Sequence, residues 1–414
     1  MSSRTRIILI VSVVVGILLF GAGILIGHFA IEQNEQRDDG MEHLLDTKCS
    51  TATPYSTSYN KLRYLEKCIA ATCRNGDCLN ADLPRTYIAY HLNGRTINID
   101  GKLDDPAWVD VPWTDSFTDI RGPSFPAPYF DTKVKVRWDN ERLYVGARMQ
   151  ETDFWGTYRQ DEDPVWRENA FEVYAVPDGS LHNYKEMQIS VRNVSWDLML
   201  RKAYMDNPCK NDSAVSVWDS QMVKATYTDG GINDPTKKGT FWSAEMSFSF
   251  AALAENTTRT MPTPANGEAW FFIFARPEYK FKIVNGQYVK DPDAPTEWWS
   301  WANMGAVNLH LPSRFGLVQF LRNRGANDEF FYDRWHIYRA LFDVFEAEHR
   351  FKAVNGMFIG DINLLDVPPK TLASDCVTAK VTSDGADFDV EVKSLARPSL
   401  PTGHIRADRY VWFM

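Results

Sequence analysis

Polar side chains recur at every second residue in two stretches of this sequence, at 171–175 and 186–192. The polar members are Glu172, Tyr174, Glu186, Gln188, Ser190 and Arg192. A period of two is typical of half-buried strands, so each stretch has one apolar and one polar face. Carboxylates and amides in a row accept and donate hydrogen bonds, and Trp166 just before them offers a flat apolar ring. Such a face can bind a polar ligand; the alternative is an ordinary solvated sheet surface.

The segment between these stretches, Pro177–Ser180, carries the residues that a reversal of chain direction requires, so the two stretches predict a β-hairpin. A second hairpin is predicted where 134–138 and 143–149 flank Asp139–Arg142. Further strands are predicted within 216–228, 241–250, 270–276 and 314–321. About eight short strands without long helices between them predict a mainly β fold, an antiparallel β-sandwich.

The last part of the chain, 323–414, follows a different pattern. Aromatic residues repeat every three or four positions between Asp328 and Phe351, which predicts an amphipathic helix. Val377–Val381 and Phe388–Val392 flank a turn sequence, which predicts a terminal β-hairpin. We expect this extension to pack on itself or on the sandwich, with its aromatic stripe in a core.

Composition limits the class of protein and of partner. The 414 residues are 44% hydrophobic and 24% charged, which is typical of a folded chain. The net charge of −9 argues against a nucleic-acid partner, because phosphate groups are neutralised by clustered lysine and arginine. Fourteen tryptophans are many for this length, and indole rings stack well on apolar faces, including those of sugar rings.

The N-terminal region predicts a membrane anchor. Ile7–Ile26 has no charged residue, and about 20 residues of helix suffice to cross a bilayer. Two arginines precede this segment and acidic residues follow it, so residues 1–6 are expected in the cytosol and the bulk of the chain outside the cell or in the secretory lumen. A single-pass type II signal anchor at 7–27 follows; a cleaved signal peptide is the alternative. Gly23 and Gly27 form a G-x-x-x-G pair that favours a homodimer contact between such helices.

Cysteine usage agrees with an exported chain. Six cysteines follow the apolar segment, an even number that is consistent with up to three disulfides: Cys49, Cys68, Cys73, Cys78, Cys209 and Cys376. Four of them lie in 28–96, which we interpret as a stapled stalk. A zinc site is the alternative, but the spacing lacks the usual C-x2-C pair. Sequons for N-glycosylation are present at Asn193, Asn211 and Asn256.

Five short segments, in this order, resemble the family 9 carbohydrate-binding modules and their relatives in the wider DOMON-like group. They are IDGKLDDPAW (99–108), VRWDNERLYVG (136–146), WRENAFEVY (166–174), HNYKEMQI (182–189) and WSW…PSRFG (299–316). Together they span a region at 97–322, a little over half of the chain. The resemblance implies a β-sandwich module that binds carbohydrate, has no catalytic residues of its own and serves carbohydrate catabolism.

The resemblance also implies roles for individual residues. In sugar-binding members of the family, two tryptophans enclose a terminal sugar, and polar side chains bind its hydroxyl groups. By position Trp166 is the first ring, and Trp299, or else Trp301, is the second. The implied hydroxyl-binding residues are Glu172, Glu186 and Arg192. Family members also hold structural calcium, for which the acid-rich stretch 151–162 can supply oxygen ligands; no other cofactor is implied.

Other functions stay open at the level of sequence. Glycoside hydrolysis needs two carboxylates roughly 5–10 Å apart, and the chain has too many acids to single out a pair. A haem-binding sandwich would use Met187, His182 or His310 as ligands. An adhesion or receptor ectodomain with a protein ligand is a further alternative. The sequence has no nucleophile elbow, P-loop, dinucleotide fingerprint or H-E-x-x-H motif, which favours binding over catalysis.

Overall fold

The computed structural model describes residues 78–79, 81–206, 214–215, 217–372 and 376–414, all within one compact unit of the chain, Cys49–Met414. The predictions for Cys49, Cys68, Cys73, Cys209 and Asn211 lie outside these residues, as do those for the anchor at 7–27 and its dimer contact. None of the helices in the described ranges is both long and apolar enough to cross a membrane.

Most of the described chain is built from short strands. The first fifteen are β1 (Thr86–His91), β2 (Thr118–Asp119), β3 (Thr132–Trp138), β4 (Arg142–Gln150), β5 (Ala170–Val176), β6 (Tyr184–Ser190), β7 (Ser195–Leu200), β8 (Ala214–Val215), β9 (Val223–Thr228), β10 (Phe241–Ser249), β11 (Ala269–Glu278), β12 (Phe281–Val284), β13 (Gln287–Lys290), β14 (Glu297–Ser300) and β15 (Gly316–Leu321). The C-terminal extension adds β16 (Val377–Ser383), β17 (Phe388–Ser394), β18 (Gly403–Arg406) and β19 (Val411–Phe413).

The α-helices of the described residues connect or cover these strands. They are α1 (Pro106–Val109), α2 (Phe250–Leu253), α3 (Trp335–Asn355) and α4 (Pro369–Leu372). The long helix α3 ends at Gly356, whose φ of 79° lies in the left-handed region that glycine adopts without steric cost.

One curled sheet organises β1–β11, β14 and β15. Its strand order is β8-β7-β6-β5-β11-β15-β1-β3-β4-β10-β9, and β14 pairs with both β11 and β2. The central strand β1 is parallel to both of its neighbours, β15 and β3, while the other pairings are antiparallel. The strands on the two sides of β1 therefore form two halves of a sandwich.

The inner faces of the two halves pack against each other. Phe171 and Val173 on β5 and Phe274 on β11 share one apolar cluster with Val136 on β3 and Val145 on β4, and all five are completely buried. Burial of a large apolar side chain contributes about 1.5–3 kcal/mol, so this cluster is the main stabilising core of the sandwich.

The outer face of the β5–β6–β11 half is partly covered by the C-terminal extension. Helix α3 places Tyr338 with its ring 5.1 Å from that of Phe271 on β11, and its other side packs on the sheet β16-β17-β18-β19. A disulfide between Cys78 and Cys376 links the segment before β1 to the start of β16. The extension thus packs both on itself and on the sandwich, as the sequence predicts.

The structure confirms the mainly β sandwich, the amphipathic helix and the terminal hairpin, and it corrects three details. The helix begins at Trp335, not at Asp328, and the hairpin belongs to a four-stranded sheet. The expectation of a purely antiparallel sheet is wrong at β1. Both faces of β1 are covered, with Ala89 in the inner core and Tyr90 in a small cluster around Trp108, so its sequence lacks the alternation that reveals a half-exposed strand.

Candidate functional site

The polar residues of the central hairpin lie together on the outer face of the sheet. In the register of β5 and β6, Glu172 is opposite Gln188 and Tyr174 is opposite Glu186. Residues that are opposite each other on neighbouring strands point to the same side, so these four side chains form one patch. We call Glu172, Tyr174, Glu186 and Gln188 the carboxylate face. Its predicted hairpin is confirmed, with the reversal at 177–183.

The carboxylate face is hydrogen-bonded around one phenol. The Tyr174 hydroxyl lies 3.2 Å from Glu172 Oε2 and 3.1 Å from Glu186 Oε1, and Gln188 Nε2 donates to Glu186 Oε1 at 2.6 Å. A phenol has one hydrogen and can donate to only one of the two carboxylates at a time. The second contact is a hydrogen bond only when the other carboxyl group carries a proton and donates to the phenol oxygen.

Burial supports a shared proton in this pair. Glu172 and Glu186 are 1% and 3% exposed, so the interpretation of this face as a solvated surface is wrong. Burial raises the pKa of Glu186 to about 7, against the opposing effect of its bonds from Tyr174 and Gln188. Burial and the negative charge of Glu186 raise the pKa of Glu172 well above its usual range. Near neutral pH the two carboxyl groups therefore do not both ionise.

Polar atoms without partners concentrate at this face. Nine buried side-chain nitrogen or oxygen atoms of the described residues have no hydrogen-bond partner, and four of them are here: Trp166 Nε1, Trp196 Nε1, Glu186 Oε2 and Gln188 Oε1. Each such atom costs about 1–3 kcal/mol when it is left unpaired in the interior. Two donors and two acceptors at this face are thus left without protein partners, so that a hydroxyl ligand or ordered water can satisfy them.

Tryptophans flank the carboxylate face on two sides. Trp196 on β7 is opposite Gln188, and the Trp166 ring packs against it at 4.5 Å in an edge-to-face geometry. On the other side, β14 places Trp298 opposite Pro277, on the face that carries Ala275 and Glu172. All three tryptophans are partly exposed, and Trp196 and Trp298 pack against the apolar cluster that contains Tyr174.

Two loops border the carboxylate face on a third side and form a wall of the site. The ring of His310 lies 5.7 Å from that of Tyr174 and 4.5 Å from that of Tyr204, and its Nδ1 is 3.0 Å from the Tyr184 hydroxyl. Burial lowers the pKa of His310 to about 3, so this wall is uncharged at neutral pH. The alternative of a haem ligand set draws no support from these contacts, because Met187 lies on the inner face of β6.

The structure does not bring Trp299 and Trp301 to the carboxylate face, which corrects the choice of the second ring. They are 2% and 1% exposed and belong to the inner core, where Trp299 packs on the guanidinium of Arg276 at 5.1 Å. Strand alternation separates them from Trp298, which points to the outer side. The run Trp298-Trp299-Ser300-Trp301 has tryptophan in both phases, so the sequence alone cannot indicate which ring faces outward.

Arg192 lies beyond the end of β6, at the border of the site. Its Nε donates to the carbonyl oxygen of Tyr158 at 3.0 Å, and its side chain packs over Gly156. Arg192 is thus held by the segment 156–158 and makes no hydrogen bond to the carboxylate face. The neighbouring Asn193 is exposed in the β6–β7 turn and Asn256 is exposed after α2, so both sequons are accessible.

The acid-rich stretch 151–162 uses its carboxylates within the protein. Glu151 forms an ion pair with Arg276 at 3.0 Å, and Asp161 does so with Lys224 at 2.6 Å. Asp153 accepts hydrogen bonds from Tyr288 and Lys238. In the ranges that the structure describes, no group of three His, Cys, Asp or Glu residues is arranged to hold a metal ion, so calcium stays a prediction without assigned ligands.

Comparison with known proteins finds a family match within the sandwich. Residues 99–269 match the family described as "Carbohydrate family 9 binding domain-like". This region therefore forms a domain similar to the family 9 carbohydrate-binding domains, and β11, β14, β15 and the C-terminal extension lie almost entirely beyond it. No curated protein matches the sequence closely enough to count as a relative.

The solved structures that match this chain are distant from it. A family 9 module from Caldicellulosiruptor kristjanssonii in complex with cellotriose is 14% identical, with a TM-score of 0.35, and the alignment covers 59% of this chain and 98% of that one. Its complex with glucose gives 15% identity, a TM-score of 0.34 and coverage of 59% and 100%. A putative carbohydrate-binding protein from Bacteroides uniformis is 12% identical, with a TM-score of 0.41 and coverage of 57% and 99%.

Proposed function

We propose that the carboxylate face and its flanking tryptophans bind carbohydrate, and that the protein is a binding module without catalysis of its own. The observation that carries the proposal is the group of four unpaired polar atoms beside three indole rings. The match of 99–269 to a carbohydrate-binding domain family supports it.

The chemistry of the face fits a pyranose. A pyranose ring has apolar C–H faces that stack on indole, and equatorial hydroxyl groups that both donate and accept hydrogen bonds. All four unpaired atoms are buried, so the proposal includes a movement of the partly exposed rings of Trp166 and Trp196 that admits the ligand. Glu186 Oε2 and Gln188 Oε1 then accept from its hydroxyls, and the two indole nitrogens donate. A hydroxyl ligand therefore satisfies both kinds of atom at once, which an anion or a purely apolar ligand does not.

The location of the module is part of the proposal. The apolar segment 7–27, the charges around it and the cysteine count support a single-pass anchor with the sandwich in the secretory lumen or outside the cell. The disulfide between Cys78 and Cys376 fits an oxidising compartment. In that setting the proposed partner is a glycan, and the family resemblance adds a role in carbohydrate catabolism to the proposal.

Binding to a glycan array tests this function. The wild-type chain is compared with a Trp166→Ala, Trp298→Ala double variant and with Trp412→Ala, a partly exposed tryptophan that stacks on His404 in the extension. We expect wild type and Trp412→Ala to bind the same saccharides and the double variant to lose them. A double variant that folds and still binds the same saccharides contradicts the proposal.

Glycoside hydrolysis is the second candidate, favoured by the buried pair Glu172 and Glu186. A carboxyl pair that shares a proton resembles the acid and base that glycosidases need. Turnover of a panel of nitrophenyl glycosides, abolished by Glu186→Gln, would establish this activity. Binding without turnover supports the non-catalytic module.

A further inference from the structure

A single arginine of the C-terminal extension contacts both loops that wall the carboxylate face. Arg409 lies in the turn between β18 and β19 and is 1% exposed. Its φ of 70° is in the left-handed region, which is uncommon for a residue other than glycine. Such a backbone conformation persists only where the surroundings hold it in place.

The guanidinium of Arg409 binds one loop through Asp206. Nε donates to Asp206 Oδ2 at 2.7 Å and Nη2 donates to Oδ1 at 3.1 Å, so the pair is bidentate. Both side chains are only 1% exposed. A buried bidentate ion pair has a strict geometry, and removal of one partner leaves an uncompensated charge. The position of Asp206 is therefore fixed by the extension.

The same guanidinium binds the other loop. Arg409 Nη1 donates to Ser313 Oγ at 2.7 Å, and Ser313 lies in the 3-10 turn Pro312–Arg314 just after His310. Asp206 ends the 3-10 turn Tyr204–Asp206. Asp206 thus lies two residues after Tyr204 and Ser313 three residues after His310, and the rings of Tyr204 and His310 pack together at 4.5 Å.

Helix α3 completes the charge balance of this cluster. Glu346 lies 3.9 Å from Arg409 Nη1 and 3.4 Å from Arg314 Nη2. Burial by itself raises the pKa of Glu346, but the two arginines outweigh it and hold the pKa below the usual range. Burial, together with the charge of Arg409, lowers the pKa of His349 to about 4, so it is neutral. Two cations and two anions therefore neutralise each other behind the wall.

We propose that Arg409 is a positioning residue through which the C-terminal extension sets the shape of the ligand face: it holds the Tyr204 and His310 loops against Tyr174 and Glu186. We call the contacts of Arg409 with Asp206 and Ser313 the clamp. The expected effect of the clamp on affinity rests on the proposed carbohydrate-binding function, whereas the clamp itself does not. It makes the extension a part of the binding site, although it lies outside the matched family region 99–269. Tyr204 lies close enough to Glu186 for the two to interact electrostatically.

Hydrogen–deuterium exchange of the full chain tests the clamp without a ligand. Arg409→Lys keeps the positive charge but loses the bidentate guanidinium. Asp206→Asn removes the negative charge of the partner and keeps the shape of its side chain. We expect amides at 200–206 and 302–315 to exchange at least about tenfold faster in both variants, with β3 and β4 unchanged. Arg406→Lys is the matched control, because Arg406 lies three residues before Arg409 and forms a half-exposed ion pair with Asp408.

A second arm measures affinity for cellotriose and glucose as probes by calorimetric titration. We expect Arg409→Lys to weaken binding about fivefold to tenfold relative to Arg406→Lys, with no change in stoichiometry. Unchanged exchange in both loops, or equally faster exchange over the whole chain, overturns the clamp. If the wild-type chain binds neither these probes nor any glycan of the array, the proposed function fails while the exchange result still decides the clamp. Faster exchange in the loops with unaltered affinity overturns the effect on the ligand face.

Discussion

The two faces of strands β5 and β6 are equally buried, but they differ in the chemistry of their side chains and in the partners that these side chains find. The inner face presents Phe171, Val173 and Met187, which are completely buried among other apolar side chains. The outer face presents Glu172, Glu186 and Gln188, which are at most 3% exposed, and yet Glu186 and Gln188 each retain an unpaired oxygen. Burial alone therefore does not identify a core. The two faces differ in whether the buried groups find suitable partners within the protein, which are apolar contacts on the inner face and hydrogen bonds on the outer face.

The difference has an energetic meaning. Apolar groups of the inner face gain from removal of water, whereas unpaired polar groups of the outer face lose hydrogen bonds to water and gain no protein partner. A protein retains such a cost where a ligand or an ordered water supplies the missing partners. We expect substitutions on the inner face to change stability and substitutions on the outer face to change binding.

The largest effect is expected from a pair of adjacent tryptophans on opposite faces. Trp299→Ala should lower the free energy of unfolding by about 3–5 kcal/mol, because it empties a core site next to Arg276. Trp298→Ala should lower the free energy of unfolding by less than half of the loss expected for Trp299→Ala, and it should weaken saccharide binding. Denaturant unfolding and calorimetric titration of both variants check the contrast; equal losses of stability would remove the distinction between the faces.

The next effect is a pH dependence of stability that originates in the carboxylate face. The pKa of Glu186 is about 7 in the folded protein and lies near 4.5 in the unfolded chain, so the folded state binds the proton more tightly. The contribution of Glu186 to stability is thus greatest below about pH 4.5 and declines as pH rises to about 7, by up to about 3 kcal/mol.

Glu186→Gln isolates this contribution, because glutamine has the same shape and does not ionise. We expect the stability of the variant, measured by denaturant unfolding, to fall less than that of wild type between pH 5 and 7. Parallel profiles for the two proteins would show that Glu186 does not change its ionisation on folding over this range.

The smallest change in stability is expected at Gln188. Gln188→Leu removes a buried carbonyl oxygen that has no partner, but also the donor to Glu186, so the net effect on the free energy of unfolding should be within about 1.5 kcal/mol. Saccharide affinity should nevertheless fall, because a hydroxyl ligand loses its acceptor. A variant that is strongly destabilised would indicate that the outer face is an ordinary structural network.

Local features of the site were predictable from the sequence, and long-range ones were not. The alternation around Glu172 and Glu186 is sufficient to place both residues on one face of a hairpin. Their burial is not visible in that pattern, because neighbouring groups such as His310, whose ring lies 5.7 Å from that of Tyr174, come from a distant part of the chain. The phase of Trp298 and Trp299 depends on the pairing of β14 with β11, which the sequence does not reveal.

The contacts behind the site are longer in range still. Arg409 and Asp206 meet although 203 residues separate them in sequence, and neither has a neighbouring pattern that marks it. Strand β1 shows the same limit, because both of its faces are covered and its sequence shows no alternation. Sequence patterns report local periodicity, while closure of the sheet and the choice of partners depend on tertiary packing.

The affinity of the Trp166→Ala variant for the saccharide that gives the strongest signal on the array tests most directly whether the carboxylate face is the binding site. Calorimetric titration compares this variant with wild type and with Trp412→Ala in the extension. We predict about 30-fold weaker binding for Trp166→Ala and wild-type affinity for Trp412→Ala, because only the first ring borders the carboxylate face. Wild-type affinity in a folded Trp166→Ala variant would contradict the assignment of this face as the binding site.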